Sequence, residues 1–297
     1  MIKIKSLYNK NLVFFSCVVV CLFAFCRQVP ALENAASDNF EFLKKKLVAD
    51  GFDASEIKTI FSRPKVCFDI KSVYLFFIHN EGKLNYDQFV SKTSIKNAKK
   101  YQKKYNDELS RAQNATGVDN NIITAIILVE TRLGRSTGRS NVLNTLSTMA
   151  ALDNKRERNL LWNKVSKSGE LTKDAFEKKA DRKSKWAYKE LKAFIQYTSR
   201  EKIVPSTIYG SYAGAVGIAQ FIPSSILAYA KDGNNDNQID LFNHADAIFS
   251  IANYLNHFGW NPDIGKEKAA KVVYRYNHSS YYVHTILEIA ELLKGNQ

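Results

Sequence analysis

Cysteine is scarce in this 297-residue chain, and what there is lies badly for cross-linking. Cys17, Cys21 and Cys26 crowd the first 26 residues and only Cys67 lies beyond them. Loss of the leader would therefore leave no intramolecular disulfide possible. Five prolines and 13 glycines exclude a collagenous or low-complexity chain. The five histidines, His79, His244, His257, His278 and His284, form no HExxH and no Cys/His metal spacing. Walker and GxGxxG loops are missing, which leaves nucleotide binding without support. Two SxxK tetrads, Ser55 to Lys58 and Ser62 to Lys65, lack KTG and SDN partners, and Gly210-Ser211-Tyr212-Ala213-Gly214 does not spell a GxSxG elbow. Serine-based acyl transfer drops out with them.

Acidic residues are the minority charge: 29 Asp and Glu stand against 43 Lys and Arg, a formal net charge of +14. That excess favours an acidic partner, which could be nucleic acid, an anionic membrane surface or a cell-wall polymer. Lys3, Lys5 and Lys10 precede an uncharged apolar run from Leu12 to Phe25, followed by Val29-Pro30-Ala31. Residues 1–31 thus read as an export signal cut after Ala31. The alternative is a retained anchor, although 14 apolar residues fall short of the roughly 20 a span needs. Lipidation at Cys26 is disfavoured by the bulky Phe25 before it. Removing Lys3, Lys5, Lys10 and Arg27 leaves +10. A basic exported protein of the periplasm or cell envelope is expected to meet envelope polymers rather than nucleic acid, and no nucleic-acid module is recognisable.

The remainder reads as mainly α. Asp38-x-x-Glu41 has the form of a capping box, opening a helix with Phe40, Leu43 and Leu47 on one face. A short helix follows from Ser55 to Phe61, and the spacing of Ile95, Ala98, Tyr105, Leu109 and Ala112 predicts one helix over Ser94 to Ala115 with its lysines in solvent. From Asn120 to Val129 apolar residues run all round, as in a buried central helix. Further helices are expected from Ala175 to Tyr197, Ser224 to Ala230, Asp246 to Phe258, Glu267 to Tyr276 and Tyr282 to Leu293. A helical lobe over 32–92 and a helical domain over 93–297 are the simplest organisation.

Three segments carry chemistry. Glu130 ends the wholly apolar helix, where desolvation suits a carboxyl to act as a general acid; the alternative is a solvated Glu or one paired with Arg132. Gly210 to Ser225 packs three glycines ahead of Pro223, with Ser211 and Gln220 as uncharged groups able to line a sugar-sized cleft; a plain helix connector would look similar. Asp232-Gly-Asn234-Asn-Asp236-Asn237-Gln238-Ile-Asp240 follows the start of an EF-hand loop. It departs at Asn237, where glycine is usual, and at Asn243, where a bidentate Glu is usual. Asp246 can supply the missing carboxylate if the loop is longer than usual, and the alternative is an Asn/Asp-rich connector.

Val129-Glu130-Thr131-Arg132-Leu133-Gly134, the Gly210-to-Ser225 block, the acidic loop running into Asp246-Ala247-Ile248, Ala252-Asn253-Tyr254, Gly259-Trp260 and Arg275-Tyr276-Asn277-His278-Ser279 resemble, in order, the membrane-bound lytic murein transglycosylase B family. The resemblance implies a lysozyme-like, largely helical fold acting on peptidoglycan glycan strands. It implies Glu130 as the single catalytic carboxylate, and Ser211, Gln220, Tyr276, Asn277 and Tyr282 as residues lining the saccharide cleft. Asp232, Asn234, Asp236, Gln238 through its backbone and Asp246 would form a long calcium loop. The implied reaction is non-hydrolytic cleavage of the MurNAc-GlcNAc β-1,4 bond by a monomer, giving 1,6-anhydromuramyl ends. A muramidase-type hydrolase on the same scaffold and a catalytically silent peptidoglycan-binding protein are the alternatives. Where the family carries a β-rich insertion, only Asn261 to Tyr274 intervenes here, so a more purely helical chain is expected. The charged segment around Asp153 to Asp181 is extra.

Overall fold

The apolar run from Ile122 to Leu128 sets the centre of the fold. In the computed structural model, which describes residues 38–78 and 85–295, this run forms α7 (Asn120–Thr131), with Ile122 to Leu128 all buried. The signal reading of residues 1–31, its three cysteines and His79 lie outside the described residues. Asp119 caps α7 by accepting the Asn121 N–H at 2.8 Å. A helix apolar on every side must be covered on every side. Four helices do this: α5 (Lys92–Lys104), α6 (Asn106–Thr116), α12 (His244–His257) and α14 (Ser280–Lys294).

A second buried helix, α8 (Val142–Ala151), has all ten residues inside. It packs along α10 (Lys173–Arg200), whose 28 residues span about 42 Å at 1.5 Å per residue. Only one stripe of α10 is apolar, from Phe176 through Ala180, Ala187, Leu191 and Phe194. Lys178, Lys185 and Lys189 face water, while Lys179 donates to the Phe77 carbonyl at 2.6 Å and Lys183 lies over the Phe76 and Trp186 rings, so the charge of that segment belongs to a packed helix and not to a linker. On the same side lie α1 (Glu41–Ala49), α2 (Ala54–Phe61), α3 (Ile70–Ile78) and α9 (Lys155–Val165). The short α4 (Asp87–Val90) leads into α5.

Strand structure among the described residues is one two-residue ribbon, β1 (Ser140–Asn141) antiparallel to β2 (Tyr209–Gly210), with Ser140 opposite Gly210. The chain then runs through α11 (Pro223–Tyr229), α12, α13 (Lys266–Tyr276) and α14. No strand falls between Asn261 and Tyr274, as the missing insertion implied. The described residues from 39 to 295 form one compact unit. No helix among the described residues is long and apolar enough to cross a membrane.

Two expectations are corrected. α1 starts at Glu41 with Phe40, rather than Asp38, at its N-cap, and Glu41 pairs with Lys44 and Lys45 at 3.0 and 3.3 Å. The helix expected over Ser94 to Ala115 is two helices broken at Tyr105, whose ring leaves the helical line to stack on His244 with centroids 4.3 Å apart. Pro223 does open α11, because an N–H-less residue costs nothing at a first turn.

Candidate active site

Glu130 occupies the last turn of α7, half-buried, at the point where the helix ends abruptly. Arg132, Leu133 and Gly134 all take positive φ, at 50°, 63° and 81°. Three left-handed residues in a row stop the helix one residue after the carboxylate and turn the chain away. Arg132 goes with the turn: its guanidinium reaches the Gln88 Oε1 at 2.5 Å and lies over the Phe89 ring. Thr131, buried beside Glu130, pins the reversal by accepting the Gly134 N–H at 3.0 Å and donating to the Ile218 carbonyl at 3.2 Å.

Ile218 belongs to the glycine turn, so Thr131 ties the end of α7 to it. That turn is knotted on itself. The Ser211 Oγ accepts the Ala213 and Ala215 N–H groups at 3.2 and 3.1 Å, and Val216 bridges to Gly210 and Phe221. At Gly217, φ is +71° and a Cβ would sit 2.4 Å from the Leu241 carbonyl oxygen, so backbone contact excludes any side chain there. Gln220 also sits at positive φ, 50°, and its Nε2 donates to the Gly217 and Thr137 carbonyls at 2.8 and 3.1 Å. Its amide hydrogens are thereby committed, and the Oε1 is what it can offer a sugar hydroxyl. Ser211, with its oxygen accepting twice, can offer its O–H.

The other wall comes from the end of the chain. Tyr282, 1% exposed in the first turn of α14, donates its hydroxyl to the Glu130 Oε1 at 2.8 Å. Tyr276, on the last turn of α13, lies nearly parallel to it, with an interplanar angle of 7° and centroids 6.4 Å apart. The Tyr276 hydroxyl donates to the Ala219 carbonyl at 2.5 Å, which closes the wall onto the glycine turn. Burial pushes both phenols far above their usual range, and the charge on Glu130 adds to it. Both therefore remain hydrogen-bond donors at every pH the protein meets. Asn277 is the C-cap of α13, half-buried, its backbone held between the Val273 carbonyl and the Ser279 N–H.

The structure thus brings Glu130, Gln220, Tyr276 and Tyr282 into one hydrogen-bonded frame, with Ser211 and Asn277 on the segments that build it. Two positioning residues escaped the sequence reading. Thr131 carried a weak signal, as a second polar residue ending an apolar helix. Glu190 carried none: it lies among the lysines of α10, yet it is 2% exposed and accepts both the N–H and the hydroxyl of Ser224, at 2.8 and 2.9 Å. That holds α11 in place behind the glycine turn.

The acidic loop is built as an Asx lattice. Asp232 accepts the Asn235 and Asp236 N–H groups on Oδ1 and the Asn237 N–H on Oδ2, while Asp236 accepts the Gln238 N–H. Asn234 accepts the Asp236 N–H and donates to the Asp236 Oδ2. Asn237 takes φ +66°, the left-handed value that the usual glycine would supply. Asp246, 1% exposed, spans the loop by accepting the Gly233 N–H at 2.9 Å and the Asp240 N–H at 2.8 Å. Burial pushes its carboxyl up, against the pull of those amides. The donors are hard oxygens of the type a calcium ion takes. Among the described residues no three acidic, histidine or cysteine side chains converge on one point.

With the geometry in place, the comparisons with known proteins decide the family. The transglycosylase SLT domain matches residues 35–269. The chain belongs to the transglycosylase SLT family. It is 29% identical over 231 residues to the membrane-bound lytic murein transglycosylase B of Escherichia coli strain K12. That match covers 74% of this chain and 56% of the relative, so the chain spans little more than half the length of that protein. Among solved structures it is similar to the E. coli lytic transglycosylase Slt35. The Slt35 complex with bulgecin A superposes at a TM-score of 0.68 with 22% identity, covering 88% of this chain and 94% of the other. The Slt35 complex with calcium gives 0.67 and 23%, covering 87% and 93%. The soluble lytic transglycosylase SltB1 of Pseudomonas aeruginosa gives 0.69 at 23% identity, covering 86% and 99%. The lysozyme-like helical fold of the SLT family is therefore the fold of this chain.

Proposed function

We propose that this chain is a peptidoglycan lytic transglycosylase, cleaving the MurNAc-GlcNAc β-1,4 bond without water and leaving a 1,6-anhydromuramyl end. The observation that carries the reading is Glu130, held through its Oε1 by a buried tyrosine at the end of a closed apolar helix. Most glycosidases use two carboxylates, one as acid and one as base or nucleophile. A single one suffices when the nucleophile comes from the substrate.

The protonated Glu130 gives its proton to the glycosidic oxygen as the bond to the anomeric carbon breaks. The 2-acetamido group of the muramyl ring stabilises the carbon left behind. Glu130, now a carboxylate, takes the proton of the muramyl C6 hydroxyl as that oxygen closes on the anomeric carbon. The proton count returns to its start and no water is consumed. With Oε1 accepting from Tyr282, the transferable proton is placed on Oε2. Gln220, through its Oε1, and Ser211, through its O–H, position the sugar, with Tyr276 and Asn277 shaping the wall beside it.

Asp232, Asn234, Asp236, the Gln238 carbonyl and Asp246 would hold a calcium ion, which supplies charge neutralisation at the loop. That Slt35 has been seen with calcium supports this reading of the loop. The enzyme acts as a monomer in the periplasm or cell envelope, exported by residues 1–31 and associated with a membrane there if that leader is kept.

The test is mass spectrometry of soluble fragments released from purified peptidoglycan by the wild type and by Glu130→Gln. Anhydromuropeptides from the wild type alone support the reading. Fragments heavier by one water indicate a hydrolase. Binding to sacculi without release indicates a silent binding protein.

A further inference from the structure

α5 takes no part in the chemistry above, yet it carries a strongly organised charge. Its sequence contains Lys92, Lys96, Lys99, Lys100, Lys103 and Lys104 and no acidic residue. Lys92, Lys96, Lys99 and Lys103 follow one another at steps of four, three and four residues, which places them on one face of the helix. That stripe runs about 16 Å at 1.5 Å per residue. The buried Ala98 and Tyr101 lie on the opposite side. All four lysines are exposed, and among the described residues none of them enters an ion pair.

The stripe borders a groove of about 920 Å³ between α5 and the C-terminal half of α14. Val90, Ile95 and Leu292 give the groove apolar ground between the charges. Its one acid among the described residues, Glu288, lies toward His284 at 3.6 Å. Lysine ammonium groups are hydrated point charges, unlike the planar fork with which arginine reads a particular phosphate or carboxylate. Long lysine stems lie over apolar ground while their heads reach a polar layer. Among the described residues no aromatic side chain lines the groove for bases to stack on, as a single-stranded nucleic acid would need. A continuous sheet of anionic headgroups over an apolar interior matches this arrangement on each count.

We infer that the lysine face of α5 is a docking surface for an anionic lipid bilayer. The lysines lie outside residues 1–31 in the sequence, and the inference is independent of the transglycosylase reading. Because α5 packs on both α7 and α14, docking through it fixes how the helices bearing Glu130 and Tyr282 stand to the membrane.

The experiment is co-sedimentation of the full chain with phosphatidylcholine vesicles and with vesicles containing a third phosphatidylglycerol, at low and physiological salt. Four proteins are compared: the wild type, a variant with Lys92, Lys96, Lys99 and Lys103 all changed to Gln, the same four changed to Arg, and a control with Lys167, Lys178, Arg182 and Lys189 changed to Gln. The preference for anionic vesicles is expected to fall by about tenfold or more in the α5 Gln variant, since each lysine near such a surface adds roughly fivefold. It is expected to survive in the Arg variant and in the control. Binding to neutral vesicles should be the same in all four. Thermal melts check folding, and Lys99→Glu alone replaces the Gln variant if that one melts early. No anionic preference in the wild type, equal loss in the control, or displacement from vesicles by equal charge of polyglutamate or single-stranded oligonucleotide would overturn the proposal.

Discussion

Tyr282 is the residue at which chemistry and stability come apart. Its ring fills a buried place beside Tyr276, while its hydroxyl serves Glu130 alone among the contacts described. Tyr282→Phe keeps the ring and removes one hydrogen bond, a change of about 1 kcal/mol in stability. If Tyr282 places the Glu130 proton, fragment release from peptidoglycan should drop by about tenfold or more. Wild-type turnover in a Phe variant that still folds would remove Tyr282 from the reaction. Gly217 is the reverse case. Gly217→Ala puts a Cβ at positive φ into the Leu241 backbone, so a loss of more than about 1 kcal/mol is expected. Thermal melting reads it directly, and an unchanged midpoint would mean the turn can open without cost.

At the scale of elements, the acidic loop and the site share a wall. The segment following Asp240 returns through Leu241, whose carbonyl accepts the Ile218 N–H at 2.8 Å, and Ile218 in turn accepts from Thr131 beside Glu130. Two hydrogen bonds thus connect the loop to the turn after Glu130. Calcium is expected to raise the melting midpoint of the wild type and to leave Asp232→Ala unmoved. Equal shifts in both would place the ion elsewhere. Elements fixed by their own residues were legible in the sequence: α7 by its unbroken apolar run, α11 by Pro223, and the left-handed step in the loop by Asn237. Elements decided by distant partners were not. Tyr105 has helical neighbours on both sides, and its ring stacks at the break between α5 and α6 on His244, a partner 139 positions away in the sequence. The helix start expected from Asp38 falls two residues later, with Phe40 at the N-cap and Glu41 pairing with two lysines. For the same reason Glu130 and the glycine turn could be named from the sequence, while Glu190 could not, since its partner Ser224 lies on another helix.

For the molecule as a whole, His244 links acidity to folding. It opens α12 beneath the reversal after Glu130, with Tyr101, Tyr105, Lys104 and Glu108 around it, and its Nδ1 meets the Tyr101 hydroxyl at 2.9 Å. Burial, then the charge of Lys104, pulls its pKa below the ordinary value, with Glu108 opposing. The unfolded chain therefore binds this proton more readily than the folded one, so its contribution is whole above pH of about 6.5 and declines as the pH falls below it. Denaturant titrations at pH 7.5 and 5.5 should show a loss in the wild type that shrinks in His244→Gln. A loss of equal size in both would assign the effect to other groups. The hydrogen bond between Glu130 and Tyr282 also has a consequence in time. It joins positions 152 residues apart, and Tyr282 stands in the last helix of the chain. During synthesis the amino-terminal parts emerge first. Glu130 therefore leaves the ribosome long before the residue that orients it, and an unfinished chain, or one clipped ahead of α13, carries the carboxylate without its tyrosine wall.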